Sequence, residues 1–431
     1  MRLFRKWALN TVLIVLSIVF ALGAAEAFLR LTHYKDYLLR SQFYGYPKFY
    51  FRADDKAGFD ISEDFPAKMF HFLDGDTKIW SNELGCFDYP YRNEKDYVLL
   101  VGDSFTWGYA PFETKFGNII ENYSGRRVLK CGVTGYGSRQ ELLKARKITA
   151  ATGRMPSLII VGYCMGNDLK DDYLFPHATF QDGYLLKKAI IANISTGEKK
   201  VYSDAELKKQ LDNWKSFGLS RRPVHPYIQR LNWWLKKNFL FYNIIAQRGP
   251  LKNLESKISS AGNGKSSQDE YNLFNNMMSY VPPDKYPWLR NAWSSHLESL
   301  KQISEFAGNS GAKVLVVLIP MKEQVYDFLR PSGDYHWTQP DDILINYFRR
   351  HSIPFLDLMP LFREFVKKEG GHEQDLYWGN DAHWNIKGNR LAGLLVTRYL
   401  TDNNMIKVAD KRKTGSKIDE EISDLRNEKK R

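Results

Sequence analysis

Cysteine is scarce in this chain: Cys86, Cys131 and Cys164 are the only three in 431 residues. An exported protein that relied on a disulfide framework would carry more of them, in even number. Cys131 and Cys164 each close an apolar run, so the three read as small buried core residues. No Cys/His cluster has the spacing of a structural zinc site. RNA-binding signatures and internal repeats are also missing, and the 62 Lys and Arg residues are scattered. Against 49 acidic residues they leave a net charge of +13. That balance points to anionic neighbours such as a membrane surface or an acidic glycan, and nucleic acid is excluded as a partner.

What is present begins at the N-terminus. Arg2, Arg5 and Lys6 precede an apolar stretch from Trp7 to Leu29, interrupted only by Asn10, Thr11, Ser17 and Glu26. About 20 such residues cross a bilayer as a helix, whereas the apolar core of a cleavable signal runs to ~7–15. Residues 1–30 are therefore read as a signal anchor, with Ala25-Glu26-Ala27 the site if the segment is cleaved instead. The basic flank stays on the cytoplasmic side, so the body is expected outside the cytoplasm, in a bacterial periplasm or at the cell surface.

Residues 31–95 are aromatic and turn-rich and read as an irregular extension. From Tyr97 a rhythm of strand then helix sets in. The expected strands are Tyr97–Val101, Arg127–Cys131, Leu158–Val161, Lys313–Ile319 and Phe355–Leu358. Helices are expected near Phe112–Tyr123, Ser138–Ala151, Ala292–Ala307, Pro340–Arg350 and Ile386–Tyr399. Short apolar strands alternating with helices predict an α/β fold, a flavodoxin-like, doubly wound parallel sheet of five strands. Its domain would comprise residues 96–172 and 301–402. Residues 173–300 read as a helical insertion or cap. Within it the basic, aromatic stretch Leu231–Tyr242 is expected to pack on the main domain, with the membrane surface as the alternative. A disorder-like patch follows at Ser259–Ser267. Residues 403–431 read as a charged, disordered tail.

The chemistry is concentrated at four strand ends. Gly102-Asp103-Ser104-Phe105 leaves the first strand, where open α/β sheets hold their active groups. A serine hydroxyl is a weak nucleophile until a base takes its proton, and histidine suits that task when a carboxylate fixes its tautomer. Asp381-Ala382-His383-Trp384 supplies both, since alternate residues of an extended segment point the same way. Asp334-Tyr335-His336-Trp337 repeats the pattern but lies far from the terminal helix, so the later copy is preferred. Oxyanion donors are expected from the loop Gly132–Gly137, where glycine lets a backbone N–H approach closely, and from Asn167 in Gly166-Asn167-Asp168.

These four segments resemble the blocks of the SGNH (GDSL-type) hydrolase superfamily. The resemblance covers roughly residues 96–172 and 310–402, and leaves the anchor, insertion and tail unexplained. It implies Ser104 as nucleophile and oxyanion donor, Gly135 and Asn167 as further donors, and His383 with Asp381 as base and orienting acid. Gly132 and Gly137 leave the register of the second block open. Phe105 stands where leucine is common. Met165 and Gly166 invert the usual Gly-x before the Asn, and Asp-x-His replaces Asp-x-x-His, as in some long membrane-associated members and polysaccharide O-acetyltransferases.

The expected activity is thus that of a metal-independent, cofactor-free serine esterase on an extracytoplasmic ester. A glycan O-acyl group, such as O-acetyl, is the expected substrate, and envelope polysaccharide machinery the expected company. The same residues would serve an O-acyltransferase. A metallophosphoesterase and an inactive envelope scaffold or glycan-binding protein are the competing classes.

Overall fold

The computed structural model describes residues 2–31, 46–72, 74–215, 277–331, 333–368, 375–379 and 381–428, with five isolated positions between 234 and 242. Most of the 231–242 stretch and all of the 259–267 patch lie outside the described residues. The chain divides into a small unit (1–45, 71–76 and 213–268) and a large unit holding the rest.

The described part of the small unit is chiefly one helix, α1 (Arg2–Leu31). Its Asn10–Leu31 segment has 22 residues and a mean hydropathy of 2.5, and only 6% of that window is buried. At 1.5 Å per residue it is about 33 Å long, enough to cross a bilayer core. Its one carboxylate, Glu26, is paired with Arg30 one turn on, at 2.8 Å.

The large unit is built on a sheet of β1 (Tyr97–Gly102), β2 (Arg127–Lys130), β3 (Leu158–Cys164), β4 (Lys313–Ile319) and β5 (Phe355–Asp357). All neighbours are parallel and the spatial order is β2-β1-β3-β4-β5. This is the flavodoxin-like order, with its switch point between β1 and β3. Successive strand residues serve opposite faces. Tyr97, Leu99, Val101, Ile159, Val161 and Tyr163 pack under α3 (Ser138–Thr152), α4 (Pro287–Asn309) and α5 (Gln339–Arg350) once α2 (Phe116–Ser124) has crossed to the other side. Val98, Leu100, Leu158 and Ile160 meet α2, α6 (Met359–Lys368) and α7 (Ile386–Asp402). Continuous apolar strands are the signature of a sheet covered on both faces.

Four expectations are corrected. The tail is not structureless: residues 411–427 form a helix, α8 (Lys411–Asn427), that buries Ile418 and Leu425 in the same core as α7. Its apolar residues are few, but Ile418, Ile422 and Leu425 recur at helical spacing and form one stripe. The insertion opens with strands, not helices. Ala178–Gln181 pairs with Tyr184–Lys187 and Ala189–Asn193 with Glu198–Val201, before a helix over Asp204–Lys215. The first turn is Asp182-Gly183, both at positive φ, the geometry a two-residue hairpin requires. The extension is likewise ordered, with hairpins pairing Phe51–Asp54 with Gly58–Ile61 and Lys68–Phe72 with Gly75–Ile79. Finally, Cys86 and Cys131 are joined in a disulfide, and only Cys164 is a free buried thiol. That bond staples the extension to the end of β2, a tertiary meeting that spacing along the chain does not reveal.

The cross-link spans a sequence separation of 45, so replacing both partners with serine should lower stability by about 2–4 kcal/mol. Urea unfolding of the oxidised protein against the double variant measures this; equal midpoints would show that the link does no more than accompany the fold.

Candidate active site

The serine turn is set by packing behind it. Gly102 ends β1 opposite Gly162 on β3, and neither carries a side chain into the space between them. Thr106 fills it: a Cβ on Gly162 would stand 2.0 Å from the Thr106 hydroxyl oxygen. The short helix Ser104–Trp107 is thereby pressed onto the strand ends. Asp103 caps it by accepting the Phe105 N–H at 2.8 Å. As the first helical residue, Ser104 has a backbone N–H with no partner inside the helix.

The histidine loop is pinned from three sides. Tyr377 and Trp384 form a β-bridge, and the Trp378 N–H donates to the His383 carbonyl at 3.0 Å. Asn385 caps α7 by accepting the Gly388 N–H at 2.9 Å, while its amide donates to the Asp375 carbonyl at 2.7 Å. The Tyr377 hydroxyl donates to the carbonyl of Pro320, just past β4, at 2.7 Å. So held, the His383 ring stacks flat on Tyr109, with centroids 4.0 Å apart and planes 5° apart, and leans on Phe105 at 4.8 Å.

His383 Nε2 lies 2.7 Å from Ser104 Oγ. On the other side of the ring, Nδ1 is hydrogen-bonded to Asp381 Oδ1, and the same oxygen accepts the His383 backbone N–H at 3.0 Å. The pairing of Asp with His thus comes from a bend closed by one oxygen, not from an extended segment as the spacing had implied. Nδ1 then carries the ring proton, and Nε2 presents its lone pair to the serine hydroxyl. Burial pushes the Asp381 carboxyl up, but the electrostatic pull of the adjacent His383 ring and the two hydrogen bonds His383 gives it outweigh this and hold it below the usual carboxylate range. A weaker contact competes for the serine proton: Asp103 Oδ2 is 3.2 Å from Ser104 Oγ.

The remaining sequence candidates are distributed as follows. Gly132 and Gly137 are buried, the first against the backbone of Thr106 and Trp107, the second against Asp172. Gly135 alone is half-exposed, at φ +79, a conformation a side chain would strain. Asn167 follows β3 and donates from its amide to Asp171 Oδ2 at 2.8 Å. The inverted Met165-Gly166 pair is explained by packing: Met165 is buried, and a Cβ on Gly166 would strike the Met321 sulfur. His336 pairs loosely with Asp334 at 3.5 Å, both exposed. Tyr109 and Asp171 were not singled out from sequence. Asp171 stands at i+4 from Asn167, a helical neighbour that spacing identifies; the Tyr109 stack had no such signal.

Asp103, next to Ser104, is one of three buried acids that repel one another, with Glu141 and Asp168. Asp168 accepts the Cys164 N–H at 2.9 Å, while neither Glu141 oxygen has a partner among the described residues. Burial, followed by mutual repulsion with other carboxylates, pushes Glu141 and Asp168 well above the ordinary range; burial also raises Asp103. No group of three or more His, Cys, Asp or Glu residues is arranged to hold a metal among the described residues.

No protein-family model matches this chain, and no curated protein sequence does. Solved structures similar to it include a lipolytic protein of the G-D-S-L family from Desulfitobacterium hafniense, with 12% identity and a TM-score of 0.31, covering 70% of this chain and 99% of that one. TesA is similar at 10% and 0.33, covering 70% and 97%. A catalytic mutant of Axe2, an acetylxylan esterase from Geobacillus stearothermophilus, is similar at 11% and 0.33, covering 71% and 93%.

An acid with a raised native pKa keeps its proton in the folded state while the unfolded chain loses it, so stability falls as pH rises above the ordinary carboxylate range. Glu141→Gln removes one such group. Its urea midpoint should decline less than that of the parent between about pH 5 and about pH 8; equal declines would mean that Glu141 is not held protonated.

Proposed function

We propose that the chain is a serine esterase that works through an acyl-enzyme on Ser104. One observation carries this reading: the unbroken hydrogen-bonded series Asp381–His383–Ser104, with 2.7 Å between Nε2 and Oγ, at the switch point where open α/β sheets bind ligands. His383 Nε2 takes the hydroxyl proton as Oγ attacks the acyl carbonyl, and Asp381 stabilises the imidazolium that results. The carbonyl π pair moves onto oxygen, toward the Ser104 N–H, the Gly135 N–H and the Asn167 amide as donors. As the intermediate collapses, the alkoxide leaves with the proton from His383. Water activated by the same histidine then releases the acid and frees Ser104. A sugar hydroxyl in place of water would make the reaction an acyl transfer.

The substrate we infer is an O-acyl group, such as O-acetyl, on a glycan outside the cytoplasm. Three features support that setting. Helix α1 is long and apolar enough to anchor the chain. Arg2, Arg5 and Lys6 flank it on the side that stays cytoplasmic. The Cys86–Cys131 disulfide fits an oxidising compartment. The charge of +13 favours an anionic glycan or membrane surface nearby, and envelope polysaccharide machinery is the company that such an enzyme would keep.

With a nitrophenyl acetate reporter, Ser104→Ala and His383→Ala should each lower kcat/KM by at least about 10³-fold, and His336→Ala by less than about twofold. A fluorophosphonate probe should label the parent protein and not Ser104→Ala. A parent that fails to label, or a His336→Ala loss equal to that of His383→Ala, would sink the reading. Asn167→Ala should lower kcat by about 10²–10³-fold, the usual worth of one oxyanion donor.

The Tyr109 stack sets the plane of the imidazole, which makes Tyr109 a positioning residue. Tyr109→Leu should lower kcat about tenfold with KM little changed, while Tyr109→Phe should restore it. Loss of activity in both variants alike would assign the effect to the hydroxyl instead.

A further inference from the structure

A cavity of about 170 Å³ lies on the same sheet edge, lined by Arg139, Asp172, Tyr173, Lys199, Ser295 and His296 among others. Its charges are not balanced. The Arg139 guanidinium donates to the hydroxyls of Ser295 at 2.6 Å and Ser299 at 3.4 Å, and no carboxylate comes within ion-pair distance of it among the described residues. The Lys199 ammonium sits 3.9 Å over the Tyr173 ring and has no carboxylate partner there either. Lys199 is exposed as a residue, yet partial burial and then the nearby Arg139 charge push it below its ordinary value.

The one acid on the wall is already committed. Asp172 Oδ1 accepts the Arg139 backbone N–H at 2.9 Å, and its Oδ2 is bonded to His296 Nδ1 at 2.7 Å. His296 Nε2 in turn meets the Tyr163 hydroxyl at 3.0 Å. Two cations close enough to repel therefore share a cavity whose one carboxylate, Asp172, is turned to other donors. An anion between them would relieve that repulsion, and a guanidinium fork beside an ammonium matches the geometry of a carboxylate.

We propose that this cavity is a subsite for the carboxylate of an acidic sugar residue in the polymer that carries the ester. The second half of that statement rests on the esterase reading; the anion site itself does not. The location favours a polymer. Asn167 precedes and Tyr173 ends the six-residue helix Asp168–Tyr173, which spans roughly 9 Å. Arg139 lies four residues past Gly135, at the start of α3. The two segments that carry the oxyanion candidates Gly135 and Asn167 thus also carry Arg139, Asp172 and Tyr173 of the cavity wall. Hydroxyl and amide groups of Ser295 and Asn291 at the wall suit a polyhydroxylated ring.

The test uses the full chain in detergent, in the Ser104→Ala background so that no turnover occurs, with calorimetry as readout. A hexuronate oligosaccharide should bind at least about tenfold more tightly than a neutral oligosaccharide of equal length. Arg139→Gln and Lys199→Gln should each weaken it by roughly three- to tenfold, and added salt should weaken it further. Lys199 is exposed on a hairpin, so its variant keeps the test meaningful if Arg139→Gln fails to fold. Equal binding of acidic and neutral oligosaccharides, or no loss in Lys199→Gln, would overturn the anion site. The monomeric hexuronate separates the sources: binding as tight as that of the oligosaccharide would overturn the polymer assignment. Fluorophosphonate labelling of the parent protein reports on Ser104 alone, so failure of the esterase reading is distinguishable from failure of this one.

Discussion

Thr106 packed into the gap between Gly102 and Gly162 is the contact on which the site depends. Two strands that cross the switch point side by side leave room there only because neither residue bears a Cβ. Threonine fills that room, draws the helix Ser104–Trp107 down onto the strand ends, and turns Ser104 toward the crevice. Any side chain at Gly162 would meet the Thr106 hydroxyl at bonding distance, and the turn would have to lift. Ser104 is thus positioned by packing two residues away from it, inside a core with no tolerance for extra volume.

The histidine arrives from the opposite end of the chain, 279 residues later, and its precision comes from a different source. Asn385, Tyr377 and Trp378 fix the loop by hydrogen bonds to backbone carbonyls, and Tyr109 and Phe105 fix the ring by its faces. Asp381 takes ring and backbone N–H on a single oxygen, so orientation of the carboxylate and of the ring are one event. Burial and mutual repulsion push Glu141 and Asp168 well above the ordinary carboxylate range, at a cost in stability that grows with pH.

Much of this was legible in the chain. Strand boundaries in the sheet follow from apolar runs that are local and doubly covered, so Lys313–Ile319 was read to the residue. The helices flanking them follow from periodicity. Ser104, Asn167, Asp381 and His383 were singled out because their residue types fall at predicted strand ends, and the structure brings Asp381, His383 and Ser104 into one hydrogen-bonded series. Less legible were features whose signal is weak per residue. The stripe of Ile418, Ile422 and Leu425 was hidden by the surrounding charge, and the Asp182-Gly183 hairpin by the expectation of a helical cap.

By itself, then, the sequence determined the parallel α/β architecture and the apolar N-terminal helix, and it singled out the side chains proposed to react, because periodicity and motif are properties of neighbouring residues. Only tertiary structure decided that Cys86 meets Cys131, that His383 rather than His336 faces Ser104, that Gly135 is the half-exposed glycine of its loop, and that Arg139 and Lys199 share one cavity. Each of these is a meeting of segments far apart along the chain. Such meetings are settled by how helices and sheet pack as bodies, and no local pattern carries that information.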